Sequence, residues 1–201
     1  MKNKITLTLI FLISLSLSSL LKADDNFSIG VELGYGFLDV GAADTATTIT
    51  NTAGTTVSHD ADEEAWVGRL FGDFKIIDSL YIDAGYFVSG SVDAKFTKSG
   101  VSTTEAYTAK GFDLSLVFKA DESAGFFLKG GAHASEVDGE ANIVINGTIY
   151  PNSNAADSGT GYLFGAGYDF ANNARVGYTY YSDLGGLSKA DLGFLYLGYR
   201  F

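Results

Sequence analysis

The sequence predicts an all-β fold, an eight-stranded antiparallel up-and-down transmembrane β-barrel, and three observations lead there. The final segment Leu195-Tyr196-Leu197-Gly198-Tyr199-Arg200-Phe201 puts Leu195, Leu197, Tyr199 and Phe201 on one face and Tyr196, Gly198 and Arg200 on the other. A period of two is that of a strand. Seven further segments repeat the alternation, and the connections between them are short and long in turn, as in barrels with turns at one end and loops at the other. An exposed aromatic strand at the end of a water-soluble chain would invite edge-to-edge association. Facing hydrocarbon, the same strand is the expected arrangement.

The N-terminus fits export. Lys2 and Lys4 precede an apolar run from Ile5 to Leu21, and after Lys22-Ala23 the composition turns acidic at Asp24-Asp25. This reads as a secretory signal peptide over residues 1–23, cut after Ala23, with residues 24–201 as one barrel domain. The other reading is an uncleaved membrane helix, since a run of about 17 residues is near the lower limit of a span. With no cysteine in the chain, a lipoprotein anchor, disulfides and thiolate metal sites are excluded.

Composition points the same way. Losing Lys2, Lys4 and Lys22 from the 13 basic residues leaves 10 against 24 acidic ones, so the net charge moves from −11 to −14. Such a chain lacks the cationic surface that binds nucleic acid. Beyond residue 23 no stretch approaches 18 apolar residues, the length of a helical span. Yet 46% of the chain is hydrophobic, with 12 Tyr, 15 Phe and 25 Gly against one Pro. Many aromatics and few breakers suit a barrel with a greasy outside and a narrow inside.

The strands follow in order. Residues 27–39 set Ile29, Val31, Leu33, Tyr35 and Phe37 against Gly30, Glu32, Gly34 and Gly36. Residues 65–76 set Trp66, Leu70 and Phe74 against Arg69, Phe71 and Asp73, and after the turn 77–79, residues 80–88 set Leu80, Ile82, Ala84 and Tyr86 against Asp83 and Gly85. Residues 106–118 place Phe112, Leu114, Leu116 and Phe118 opposite Asp113 and Ser115. Past the turn 119–125, residues 126–135 place Phe126, Leu128, Gly130, Ala132 and Ala134 opposite Lys129, Gly131 and His133. The cleanest alternation is 160–170, with Tyr162, Phe164, Ala166, Tyr168 and Phe170 against Gly161, Gly165, Gly167 and Asp169. Asn172-Asn173 suits a tight hairpin turn. It leads into residues 174–181, where Val176, Tyr178 and Tyr180 oppose Arg175, Gly177 and Thr179.

Residues 40–64, 89–105 and 136–159 are long, polar connections rich in Thr, Ser, Asn, Asp and Gly, and 182–189 is a shorter fourth. With strand one directly after the export signal, both chain ends and the short turns should face the periplasm and the long loops the outside. Within the third loop, Ile143, Ile145 and Ile149 alternate enough for Ala141 to Tyr150 to extend the barrel as a hairpin above the membrane.

With these strands and the recurring Gly34-Tyr35-Gly36-Phe37, Gly85-Tyr86-Phe87, Gly167-Tyr168-Asp169-Phe170, Gly177-Tyr178 and Gly198-Tyr199-Arg200-Phe201, the chain resembles the eight-stranded outer-membrane barrels of the OmpA/OmpX type. The resemblance implies a cell outer-membrane location. It also implies that Leu195, Leu197, Tyr199 and Phe201 form the terminal motif read by the barrel-assembly machinery. Expected partners are outer-membrane lipids and lipopolysaccharide, that machinery with periplasmic chaperones, and external ligands met through residues 40–64, 89–105 and 136–159. No nucleic acid, cofactor or metal is expected, and the barrel should be a monomer. No peptidoglycan-binding segment is recognisable, so cell-wall anchoring is not carried over.

Eight strands enclose a lumen just wide enough for side chains. Parity sends Glu32, Arg69, Asp113 and Lys129 inward near mid-depth as a lumen charge network, with Asp73, Asp83, Asp169, Arg175 and Arg200 nearer the periplasmic end. These charges could plug the barrel as ion pairs, or rearrange as a narrow gated channel. A third reading is enzymatic. His133-Ala134-Ser135 puts an imidazole and a hydroxyl on one strand face, with Glu136 and Glu140 beyond. The spacing is similar to the His-x-Ser element of lipid A deacylases, also eight-stranded barrels, but Glu136 stands where that family has Asn. Parity moreover points His133 inward, so a non-enzymatic role is the leading expectation. His59 is expected to be a solvated loop residue, and Asp60-Ala61-Asp62-Glu63-Glu64 a solvated acidic loop lacking the glycine of a calcium-binding loop. Gly165-x-Gly167 has no helix after it and is no dinucleotide motif. The leading function is therefore a small structural barrel that displays its outer loops for adhesion or other interaction.

Overall fold

A computed structural model describes residues 26–41, 58–98, 101–121, 124–145 and 148–201. The expected signal segment 1–23 and the centre of the first expected loop lie outside these residues. Ten strands are described: β1 (Phe27–Asp39), β2 (Ser58–Asp62), β3 (Glu64–Ile77), β4 (Leu80–Ser89), β5 (Val92–Lys98), β6 (Val101–Lys119), β7 (Gly125–Ile145), β8 (Thr148–Asp169), β9 (Ala174–Tyr181) and β10 (Asp191–Arg200).

Eight of them close a barrel. β1 pairs β3, β3 pairs β4, β4 pairs β6, and the ladder continues through β7, β8, β9 and β10 back to β1, every pairing antiparallel. Tyr35 sits opposite Trp66 on one side and Leu195 on the other, so the terminal strand closes against the first. Closure leaves no edge within the membrane, where an unpaired backbone group would cost several kcal/mol. No described helix is long and apolar enough to cross.

The predicted parity holds strand by strand. Leu33, Phe37, Trp66, Phe112, Leu114, Phe126, Leu128, Tyr162, Leu195 and Leu197 are exposed on the outside, whereas Glu32, Arg69, Asp113, Lys129 and Arg175 are buried within. The Asn172-Asn173 hairpin is also as expected. Asn173 takes φ 68°, and the Phe170 amide donates to the Ala174 carbonyl at 2.8 Å.

The long connections are the correction. Much of what reads as loop is strand: Ser58–Asp62 pairs with Val92–Lys98, Val92–Lys98 pairs with Val101–Tyr107, and β6, β7 and β8 run on well past the outermost lipid-facing aromatics. The acidic Asp60–Asp62 segment and His59 therefore lie in β2. The contrast that a periodicity reading uses is present in β5, where buried Val92, Ala94 and Phe96 alternate with exposed Asp93 and Lys95, but it is short and set in a stretch whose composition is otherwise that of a loop. The expected hairpin around residues 141–150 is present, with Asn142 paired to Pro151 and Ile145 to Thr148. The register shifts there, Ala141 facing Ser153, so Asn152 is the extra residue of a bulge. The chain's one proline stands beside that bulge, where a missing N–H is tolerated.

Candidate functional site

Two stacked layers fill the lumen. The lower one is ionic, and Arg69 on β3 is its hub. The guanidinium donates to both Asp113 oxygens (2.9 and 2.5 Å) and to Glu32 Oε2 at 3.3 Å, and it pairs with Asp83 across the β3–β4 ladder. Arg175 on β9 reaches Glu32 Oε1 at 3.1 Å and Asp169 Oδ1 at 3.0 Å, its guanidinium held between the rings of Phe71 and Phe127. Lower still, Asp169 also pairs with Arg200 and lies 3.5 Å from Lys119, while Asp73 lies 3.6 Å from Arg175 and 3.7 Å from Lys119. Lys129 comes within 4.0 Å of Glu32. Five carboxylates (Glu32, Asp73, Asp83, Asp113, Asp169) thus meet five cations (Arg69, Lys119, Lys129, Arg175, Arg200), a balance that buried charges require.

Of the expected mid-depth quartet, Arg69 binds Glu32 and Asp113 directly, and Lys129 approaches Glu32 alone. Asp83 lies opposite Asp73 near the periplasmic turn, as expected, and its carboxylate also joins the Arg69 cluster. Two members escaped the sequence reading. Lys119, assigned to a turn, is the last residue of β6 and places its ammonium 3.8 Å from the Tyr81 ring centroid. Tyr181 donates its hydroxyl to Asp113 Oδ2 at 2.9 Å. Parity held both signals, because Lys119 continues the inward series Asp113, Ser115, Val117 and Tyr181 continues Arg175, Gly177, Thr179.

Above the charges the lumen is apolar. Leu38, Val67, Phe87, Ala109, Val137, Leu163, Leu192 and Phe194 form one buried cluster, with Phe87 4.5 Å and Phe194 6.1 Å from the Tyr181 ring. The fourth connection folds down onto this layer. Its Leu184–Gly186 turn buries Leu184 completely, and Ala190 follows it in. Asp183, Gly185 and Gly186 all take positive φ to make the bend. Gly159 allows the loop to lie flush on β8, since a Cβ there would stand 2.3 Å from Gly186 Cα.

His133 and Ser135 hold that loop. The His133 Nε2 donates to the Ser182 carbonyl at 2.7 Å, and Ser135 Oγ accepts from the Gly185 amide at 2.9 Å. Both side chains are buried in the lumen and turned away from lipid. Each thus bonds the fourth loop, the imidazole at Ser182 and the hydroxyl at Gly185. At the C-terminus, Leu195, Leu197 and Tyr199 project outward, and the Phe201 amide donates to Ile29 O at 2.8 Å.

Across residues 22–200 the sequence matches the family model of the OmpA-like transmembrane domain. The chain belongs to that family. Among solved structures, the attachment invasion locus protein Ail of Yersinia pestis is similar at 16% identity, over 88% of this chain and 99% of that one, with a TM-score of 0.45. A second structure of Ail, in complex with the heparin analogue sucrose octasulfate, gives 15% identity over the same shares and a TM-score of 0.48. Neisserial surface protein A is similar at 16% identity over 87% and 95% of the two chains, with a TM-score of 0.40. No curated protein matches the sequence.

This OmpA-like outer-membrane barrel raises a sheet above its membrane band. Its outermost lipid-facing aromatics include Phe37, Trp66, Phe112 and Tyr162. β6 begins at Val101 and β7 ends at Ile145, so the sheet stands about 35 Å beyond the band along the strand, at roughly 3.3 Å per residue. Charge pairs brace it. Lys110 Nζ lies 2.7 Å from Asp138 Oδ2 and 3.6 Å from Glu136. The hydrogen bond to Asp138 holds the ammonium above its usual range, and the same bond holds the Asp138 carboxyl below its own. Deeper in the sheet, burial and a hydrogen bond to Glu105 push the Tyr107 phenol up.

Proposed function

We propose that this barrel is a plugged, monomeric outer-membrane scaffold whose task is interaction, carried by the raised sheet β2-β5-β6-β7-β8. The supporting observation is a contrast of lengths. Crossing needs about 9–11 residues per strand, yet β6, β7 and β8 run 19, 21 and 22 residues. Chain is invested in strand beyond the membrane, while the lumen is filled. Lipopolysaccharide around the outer rim, and entry through the assembly machinery by the Leu195, Leu197, Tyr199, Phe201 motif, belong to the same proposal. The role is non-catalytic, since His133 and Ser135 serve as anchors of the fourth loop.

The chemistry of the raised sheet favours protein partners with basic or uncharged surfaces. Asp60, Asp62, Asp93, Glu105, Glu136, Asp138, Glu140 and Asp157 outnumber Lys95, Lys98 and Lys110 along its described strands. A polyanion such as the heparin analogue held by Ail meets like charge here. The two outer edges of the sheet also differ. β2 carries Asp60 and Asp62, charges that discourage further pairing, whereas β8 has no charged residue from Thr148 to Ala156. An extended segment of a partner can add to such an edge.

The test is adhesion of cells expressing the full chain or a variant with residues 140–155 replaced by a short turn. Both should fold and shift on an unboiled gel. Wild-type cells should adhere to surfaces coated with extracellular-matrix protein and ignore heparin-coated ones, and the truncated variant should lose adhesion. Equal adhesion by the truncated variant overturns the proposal.

A further inference from the structure

The ion pairs of the lumen are unevenly supplied with acceptors. On the β3–β6 arc every donor of the Arg69 guanidinium is met by Glu32, Asp83 or Asp113. Across the lumen, on the β6–β10 arc, four buried donors away from Asp73 have no hydrogen-bond partner among the described residues: Lys129 Nζ, Ser115 Oγ, Thr179 Oγ1 and the Tyr196 hydroxyl. The likewise unpartnered Lys119 Nζ and Arg200 Nε, by contrast, lie beside the free oxygens of Asp73. A buried ammonium without an acceptor is among the costliest groups a fold can hold.

Topology gathers these four donors. Ser115 and Lys129 lie on adjacent strands, with Ser115 opposite Gly131 two positions from Lys129. Lys129 reaches across Gly165, where a Cβ would stand 2.9 Å from its Cε, and Gly165 is in turn opposite Thr179. The Tyr196 hydroxyl lies over Gly177, 2.6 Å from where a Cβ would be, and the Tyr196 ring centroid is 5.4 Å from Lys129 Nζ. Glycines form the wall over which the Lys129 and Tyr196 side chains lie.

Charge selects the occupant. Glu32 is the single carboxylate within 4.0 Å of Lys129, and its oxygens already accept from Arg175 and Arg69. Lys129 therefore has no carboxylate to itself, whereas Arg175 also holds Asp169 and Arg69 also holds Asp83 and Asp113. Three hydroxyls on this arc can turn their protons toward an acceptor. We propose that the barrel encloses a small monovalent anion of the halide class, held by Lys129 and the hydroxyls of Ser115, Thr179 and Tyr196. The apolar layer and the fourth loop seal the site from the outside, so loading occurs as the barrel closes or through the periplasmic mouth. Such an ion supplies the missing acceptor and ties β6 and β7 to β9 and β10, a structural role distinct from conduction.

Bromide is the probe. The full barrel, refolded and crystallised in bromide, should show an anomalous peak in contact with Lys129 Nζ. In solution, its melting temperature should rise with chloride or bromide relative to sulfate at equal ionic strength. Thr179→Val, which keeps the charge balance, should weaken the halide midpoint about tenfold, and Lys129→Met should abolish peak and midpoint alike. Ordered water with no bromide in the wild type, or a bromide peak that survives Lys129→Met, overturns the proposal. If Lys129→Met does not fold, Thr179→Val decides: an unchanged halide midpoint is equally fatal.

Discussion

The lower and upper halves of the lumen are lined by the same strands and obey the same parity, yet they are held together by opposite physics. Below, five carboxylates and five cations gather around Arg69 and Arg175. Above, Phe87, Tyr181, Phe194 and Leu192 pack with Leu184 of the fourth loop into an apolar layer. The ionic half is unforgiving of single losses, because each group removed leaves a buried charge behind. The apolar half tolerates small vacancies at a graded cost. The difference teaches that closure of this barrel is redundant: neither half has to open for the other to be damaged.

The largest effect should come from the hub. Arg69→Met strands Glu32, Asp83 and Asp113 in a dry interior and should cost about 3–5 kcal/mol, read as a shift of the urea midpoint of the barrel in lipid vesicles. A variant that also replaces Asp83 and Asp113 by Asn should recover part of the loss; no recovery would break the contrast between the halves. In the apolar layer, Leu184→Ala should cost about 3 kcal/mol without abolishing folding, measured in the same way. A loss above that of Arg69→Met would reverse the ranking.

A neighbouring pair sharpens the distinction between inside and outside. At Gly131 an added Cβ would stand 2.0 Å from the Leu114 carbonyl oxygen, and at Gly130 it would meet nothing within 4 Å. Gly131→Ala should therefore destabilise by about 2 kcal/mol, while Gly130→Ala should be neutral or stabilise by about 0.5 kcal/mol. Urea midpoints of the two single variants check this, and equal effects would contradict the register. The smallest effect belongs to the raised sheet. The Asp138 carboxyl is held low by Lys110, so the stability it lends is present above the ordinary carboxylate range and is lost as pH falls through its lowered value. In an NMR titration, Lys110→Met should move the Asp138 midpoint back up toward the ordinary value near 3.9, with little change in the barrel.

How much of this was legible in the sequence depends on contrast between the two faces of each strand. Inside the membrane band, Leu195 against Arg200 or Phe112 against Asp113 differ sharply, and strand, face and register direction followed from parity alone. Above the band the contrast is patchy: Ile143 and Ile145 mark their hairpin and Val92, Ala94 and Phe96 alternate with Asp93 and Lys95, but Ser102, Thr103 and Thr104 differ little from one another, and pairing there rests on backbone ladders. Which charges meet was likewise hidden. Parity sends Asp83 and Arg69 inward, but the register sets Arg69 opposite Phe87 and Asp83 opposite Asp73, and the two meet because the Arg69 side chain lies over Gly85. The fourth connection is a short loop as expected, but its packing was hidden: Leu184 and Leu187 are both leucines of one polar stretch, and the burial of Leu184 depends on the anchors His133 and Ser135 on a strand far away in sequence.

The central claim is that the lumen is doubly closed and that function lies above it. Current through the purified barrel in planar bilayers tests this most directly, comparing the wild type with Leu184→Ala, Arg69→Met and the two combined. The account predicts silence in the wild type and in each single variant, with discrete openings only when both layers are disrupted. Stable conductance steps in the wild type would contradict it.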